Sequence, residues 1–230
     1  MRIRSIIFTI ALLLGCLAMS KPIPVILDTD TGNDIDDTFA IALLVRNPAF
    51  DVKLVTTTDG QQDYRTKLIA KELTIAGRTD IPIGIGAGPT PGEGKIAPWI
   101  HDFKLSDYRG KVYSDGVSAL IKSIKKSKGP VTIIAIGPLQ TLGEALRRDP
   151  SIAHRARLVA MQGSVYKGYL GTPKPFPEWN VKLDVRAAQR VLSADWQSIT
   201  ITPTDTCALH EITLDQPRLE KLRASADKLD

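Results

Sequence analysis

The chain has 230 residues, 43% of them hydrophobic and 24% charged, a balance that excludes fibrous, disordered and polytopic membrane proteins. At that length one core can bury most of the apolar surface of the unfolded chain, so a single domain needing no disulfide staple is expected; only Cys16 and Cys207 are present. The net charge is +5, falling to about +3 without Arg2 and Arg4, too small an excess to argue for a nucleic-acid partner.

At the start of the chain, Arg2 and Arg4 precede the uncharged run from Ile6 to Leu14, and small residues follow at Gly15, Cys16, Ala18 and Ser20. This is the pattern of a secretory signal over residues 1–20, shorter than the ~20 apolar residues that a membrane span takes. Two cleavage readings stand. Leu13-Leu14-Gly15-Cys16 resembles a bacterial lipobox, which would place a lipid anchor on Cys16, whereas Ala18-Met19-Ser20 resembles an ordinary signal-peptidase site, which would release a soluble protein from Lys21. Either way the mature domain, residues 21–230, is expected outside the cytoplasm: secreted, periplasmic or anchored to the cell envelope. Cys207 is then its one thiol.

From Pro24 onward short β-rich runs alternate with helix-sized segments. Strands are predicted at 25–29, 52–57, 81–85, 131–136, 158–161 and 199–202, and helices at 37–46, 62–76, 116–126, 139–148 and 185–192. Lys122, Lys125, Lys126 and Lys128 have the spacing of a solvated helix face. Nearly apolar strands separated by helices predict an α/β fold, a mostly parallel open sheet flanked by helices. In such sheets ligands bind beyond the carboxyl ends of the strands, so chemistry is expected just after Thr29, Thr57, Ile136 and Met161. Residues 87–114, rich in Gly and Pro, read as a lid or binding loop.

The first strand runs into Asp28-Thr-Asp30-Thr-Gly32-Asn33-Asp34-Ile-Asp36-Asp37, five carboxylates in ten residues. One or two could cap a helix. Five repel one another unless a positive charge sits among them, and all-oxygen ligation suits a hard cation, Ca²⁺ before Mg²⁺. An EF-hand would need Gly and Glu where Asn33 and Phe39 stand. A haloacid-dehalogenase-type phosphotransferase, with Asp28 as nucleophile, would need Thr or Val at Gly32.

The loop, with Asp36-Asp37-Thr-Phe-Ala40 behind it, closely resembles the N-terminal signature of the inosine-uridine nucleoside hydrolases. The likeness continues through Ile136-Gly137-Pro138-Leu139, Met161-Gln-Gly163, Pro177-Glu178-Trp179-Asn180-Val181 and Thr202-Pro203-Thr204-Asp205, in unbroken order from about Pro24 to Leu214. It implies hydrolysis of the N-glycosidic bond of ribonucleosides, with Ca²⁺ as cofactor and a small nucleoside as substrate; self-association is left open. Carried over by position, Asp30 and Asp37 would be metal ligands through their side chains and Ile136 through its backbone carbonyl. Asp30 also lies where the family deprotonates the attacking water. Asp36 would accept from a ribose hydroxyl, although two extra residues after Gly32 leave Asp34 as an alternative. Glu178 and Asn180, read as an extended segment, would point together at the sugar with Trp179 packed behind. Asp184 reads as a helix N-cap, and Asp205 as either a support behind the site or a turn residue. His101, beside Trp99 and Asp102, is the candidate for touching the base.

Two departures are visible. Gly-Asn in many members is here Asp59-Gly60-Gln61, and the family's C-terminal portion, with an aspartate that completes the metal shell, has no match before Asp230. The domain is therefore expected to be C-terminally short, and a non-catalytic ribose- or nucleoside-binding relic is the alternative to an enzyme.

Overall fold

The computed structural model describes residues 21–88, 91–208 and 215–224; the leader with Cys16, and His210, lie outside them. Strands β1 (Ile23–Thr29), β2 (Phe50–Thr57), β3 (Ile83–Gly84), β4 (Val112–Tyr113), β5 (Val131–Ala135), β6 (Ala156–Met161) and β7 (Ser198–Thr202) form one sheet in the order β4-β3-β2-β1-β5-β6-β7. Every pairing is parallel. The α/β expectation holds.

Alternation along β1 builds both faces of the core. Val25 and Leu27 point to one side, where they pack with Ile41, Leu44 and Val45 of α1 (Asp36–Arg46) and Ile69, Ala70 and Leu73 of α2 (Gln62–Ile75). Ile26 points to the other, against Val117, Leu120 and Ile124 of α3 (Gly116–Lys126), Leu142, Ala145 and Leu146 of α4 (Gln140–Arg148) and Val191 of a later helix. None of the described helices is long and apolar enough to cross a membrane.

The chain builds outward from β1 through β4, then returns to lay β5 on the other side of β1. The order therefore reverses between β1 and β5, and the crevice beyond their carboxyl ends is where an open α/β sheet binds its ligands.

One strand is shorter than expected, and the excursion holds a strand that its sequence did not suggest. The strand predicted at 81–85 pairs only at Ile83–Gly84, because Pro82 has no N–H to give a ladder. The described part of residues 87–114 contains β4, whose two residues are too short to show alternation, and it is tied to the body of the domain at Ile100 and Tyr108. Ile100 packs with Tyr64 and Leu68 of α2, and the Tyr108 hydroxyl donates to the Ile81 carbonyl.

Candidate active site

Beyond β1 the chain turns through Asp30 and Gly32 and enters α1 at Asp36. Asp37, buried in the first turn of α1, accepts from the Thr29 hydroxyl at 2.5 Å, which aims its carboxylate back at the strand end. Asp28 lies wholly buried below, accepting from Thr56 at 2.6 Å on one oxygen while the other has no partner. A nucleophile in a phosphotransferase would have to be reached by substrate, and Asp28 is not.

On the other side of the switch point the Ile136 amide donates to the Asp28 carbonyl at 3.0 Å, which places Ile136 and Gly137 beside the acidic loop. A Cβ on Gly137 would lie 2.6 Å from Asp30 Oδ1, so the Asp30 carboxylate rests on the bare backbone of Gly137. The Gly137 carbonyl is held by the buried Gln162 side-chain amide at 2.9 Å. This contact gives a prediction: Gly137→Ala keeps the fold but pushes Asp30 aside. We expect kcat/KM to fall by about 10²-fold, the effect of a displacement near 1 Å, with the circular-dichroism spectrum unchanged.

Electrostatically the carboxylates of the site outweigh the buried cation Arg65. Burial lifts the Asp30 carboxyl to about 6, with Asp59 and Asp36 adding and Arg65 opposing. Asp37 is raised well above the usual carboxylate range, first by burial and then by the Asp30 charge, and Asp28 likewise by burial. Among the described residues no three His, Cys, Asp or Glu side chains gather so that they alone could hold an ion. Two mutually repelling carboxylates, Asp30 and Asp37, with a backbone carbonyl at Ile136 nevertheless make an all-oxygen donor set, the chemistry that a hard cation takes.

Asp34 and Asp36 diverge. Both are exposed, but the Asp34 side chain pairs with Lys95 of the excursion at 3.3 Å, while the charge of Asp36 bears on both Asp30 and Asp37.

The extended reading of Glu178 to Asn180 is overturned. Residues Trp179–Leu183 form a short helix, α5, because the Glu178 carboxylate caps it, accepting from the amides of Asn180 at 2.8 Å and Val181 at 3.1 Å. Glu178 also accepts from the Gly163 amide at 2.9 Å, which ties α5 to the end of β6. Trp179 is therefore not packed behind the pair but half exposed. Asn180 is buried and donates to the carbonyls of Ile136 at 3.2 Å and Met161 at 3.1 Å, so it does reach the site, as a brace on the Ile136 carbonyl. Asp184 caps α6 (Val185–Leu192), as expected. Asp205 lies in the first turn of the short helix Thr204–Cys207 and accepts from the amides of Val165, Tyr166 and Lys167, so it holds the loop after β6.

His101 is not gathered into the site. Its side chain is 82% exposed beside Asp102, which also pairs with Lys71. Lys71 lies nine residues into α2, about 14 Å from the helix start at the sheet mouth.

Sequence reading missed Tyr64 and Arg65. The fully buried Arg65 donates to the carbonyls of Thr31 at 2.7 Å and Gly60 at 3.1 Å and pairs with Asp59 at 3.3 Å. The Tyr64 hydroxyl donates to the Gly32 carbonyl at 2.6 Å.

The family model described as inosine-uridine preferring nucleoside hydrolase matches residues 25–230. The pyrimidine-specific ribonucleoside hydrolase RihA of Citrobacter koseri is 29% identical over 224 residues, 89% of this chain and 67% of its own length. RihA of Escherichia coli O7:K1 is 28% identical over 88% of this chain and 66% of its own length. The plant nucleoside hydrolase PpNRh1 superposes with a TM-score of 0.64 at 28% identity, over 79% of this chain and 60% of that one. For the inosine-uridine preferring nucleoside hydrolase of Bacillus anthracis the TM-score is 0.68 at 22% identity, over 87% of this chain and 72% of that one, a likeness of fold. The chain thus spans about two thirds of the length of the curated relatives it matches. A match across nearly the whole described chain, on the fold the relatives share, places it in the inosine-uridine preferring nucleoside hydrolase family.

Proposed function

We propose that the chain hydrolyses the N-glycosidic bond of ribonucleosides, releasing ribose and free base, with Ca²⁺ held by Asp30, Asp37 and the Ile136 carbonyl. The observation that supports the reading is that Asp30 and Asp37, both raised by burial and Asp37 further by the Asp30 charge, sit at the reversal of strand order, with Asp30 against Gly137 and the neighbouring Ile136 carbonyl braced by Asn180. Calcium, when bound, would lower the pKa of a nearby water and take the two vicinal hydroxyls of the sugar as ligands.

The chain's own groups divide the remaining work. Asp30 orients the attacking water and accepts its proton, while the oxygen bonds to C1′ and the C1′–N electron pair leaves with the base, which takes up a proton from solvent as Asp30 returns its own to solvent. Asp36, whose charge bears on Asp30 and Asp37, is the better placed of the two loop carboxylates to accept from a ribose hydroxyl, since Asp34 is paired with Lys95. The negative field of the loop stabilises the positive charge that develops on the sugar. Asn180 keeps the Ile136 carbonyl aimed, and Glu178 anchors the turn that carries Asn180. We further take residues 1–20 as an export signal, tested by the N-terminus of the mature protein and by labelling of Cys16 with lipid.

The test is release of base from a panel of purine and pyrimidine nucleosides, with calcium and with chelator. We expect turnover in calcium and none in chelator; no release from any nucleoside in calcium overturns the enzyme reading. A second reading, a nucleoside-binding protein without turnover, is favoured by the donor set itself, which supplies fewer oxygens than the six to eight that Ca²⁺ takes. It predicts ribose binding without base release over hours.

A further inference from the structure

We propose that Arg65, with its neighbour Tyr64, is a positioning device that sets the acidic loop for its ion, a role that rests on the reading above. The side chains of these consecutive residues of α2 take the carbonyls of consecutive loop residues: Arg65 donates to Thr31 and Tyr64 to Gly32. Thr31 directly follows Asp30, so the two bonds fix the backbone that carries that carboxylate. The Gly32 backbone, at φ 121°, lies against the Tyr64 ring, and a Cβ there would come within 2.4 Å of it. The Tyr64 hydroxyl also accepts from the Ile96 amide, which draws the excursion onto the same point.

The other arms of the Arg65 fork hold the loop after β2. Asp59, Gly60 and Gln61 all have left-handed backbone, with φ of 61°, 69° and 47°, a conformation that L residues adopt at a cost. Arg65 bonds the Gly60 carbonyl and the Asp59 carboxylate, and Gln140 accepts from the Asp59 amide at 3.1 Å. A fully buried guanidinium with one carboxylate partner is a poor investment in stability, since its desolvation offsets most of the attraction. Its value is geometric. Only a planar fork reaches three acceptors on two loops at once, which an ammonium does not.

Partners behind a metal ligand cost 10- to 100-fold in affinity when removed. The experiment uses the full chain with Arg65→Met, Arg65→Lys and Tyr64→Phe. Amide hydrogen exchange of residues 30–36 and a calcorimetric calcium titration on folded protein are the readouts, with kcat beside them. We expect Arg65→Met to speed exchange at residues 30–36 at least tenfold while amides of β2 stay protected. Its calcium midpoint should rise about 10- to 100-fold, saturating calcium should return kcat to within a few-fold of the parent, and Arg65→Lys should recover part of each effect. A merely structural contribution would lower the melting temperature without moving the calcium midpoint. Exchange at the parent rate, or a midpoint within twofold, overturns the proposal. Should Arg65→Met fail to fold, Tyr64→Phe, which keeps the ring on Gly32 and loses only its hydroxyl bonds, decides by the same two criteria with about threefold to tenfold expected effects. Were the parent neither to bind calcium nor to release base, the nucleoside reading would fail, and exchange at residues 30–36 alone would decide for or against the clamp.

Discussion

Asp30→Asn is expected to lower kcat by about 10³-fold, within the range spanned by loss of a general base, and saturating calcium should not restore it. Asparagine keeps the size and one oxygen of the carboxylate but cannot accept the water's proton, so the deficit lies in the chemical step. Asp37→Asn is the control. It removes charge from a donor that touches no reacting atom, so the calcium midpoint should rise while kcat at saturation recovers. Steady-state release of base across a calcium titration separates the two, and Asp30→Asn retaining a tenth or more of the parental kcat would remove Asp30 from its role. The same substitution should raise the melting temperature in chelator, because burial and the charges of Asp59 and Asp36 disfavour ionised Asp30 in the folded protein. Activity and stability pull apart at that residue, as they do where a site is built from groups that repel.

How much of this was written in the chain differs between framework and site. The parallel sheet was legible because its central strands are apolar on both faces and each is followed by a helix-length segment, and the acidic loop was legible because five carboxylates in ten residues have no other economy. Glu178 to Asn180 was misread because polar residues at i and i+2 around an aromatic satisfy a strand period, while the capping of a short helix by a glutamate leaves no periodic trace. Arg65 and Glu72 escaped for a deeper reason. In α2 the buried set includes Tyr64, Arg65, Thr66 and Glu72 beside Leu68, Ile69 and Leu73, so the helix carries no clean polar face. Charged side chains are buried there because other parts of the chain close over them, the acidic loop over Arg65 and α1 over Glu72, and no local pattern encodes where a segment 34 positions away will settle. The Tyr-Arg pair opening α2 was the only available signal, and it has meaning only once Thr31 and Gly60 are known to lie above it.

Glu72→Gln is expected to stabilise the protein at pH 8 and leave it nearly unchanged at pH 5. The Glu72 carboxyl lies between α1 and α2, accepts from the Thr38 hydroxyl at 3.1 Å on one oxygen, and has no partner for the other. Burial lifts its pKa from 4.5 to about 8, with the Thr38 bond opposing. Between those values the folded chain keeps a proton that the unfolded chain has lost, so stability falls as pH rises through the window and levels off above it. For a shift of that size the loss is on the order of 4 kcal/mol, a large part of the 5–15 kcal/mol typical of a domain. Glutamine is a permanent stand-in for the protonated acid and keeps the Thr38 contact, so the variant avoids the loss. Asp28 and Asp37 are shifted the same way and leave a slope in both proteins. The quantity that isolates Glu72 is therefore the difference between variant and parent in denaturant midpoint at pH 5, 6.5 and 8. A difference that is the same at all three values would mean that Glu72 ionises alike in the folded and unfolded chain, and that water reaches the space between α1 and α2.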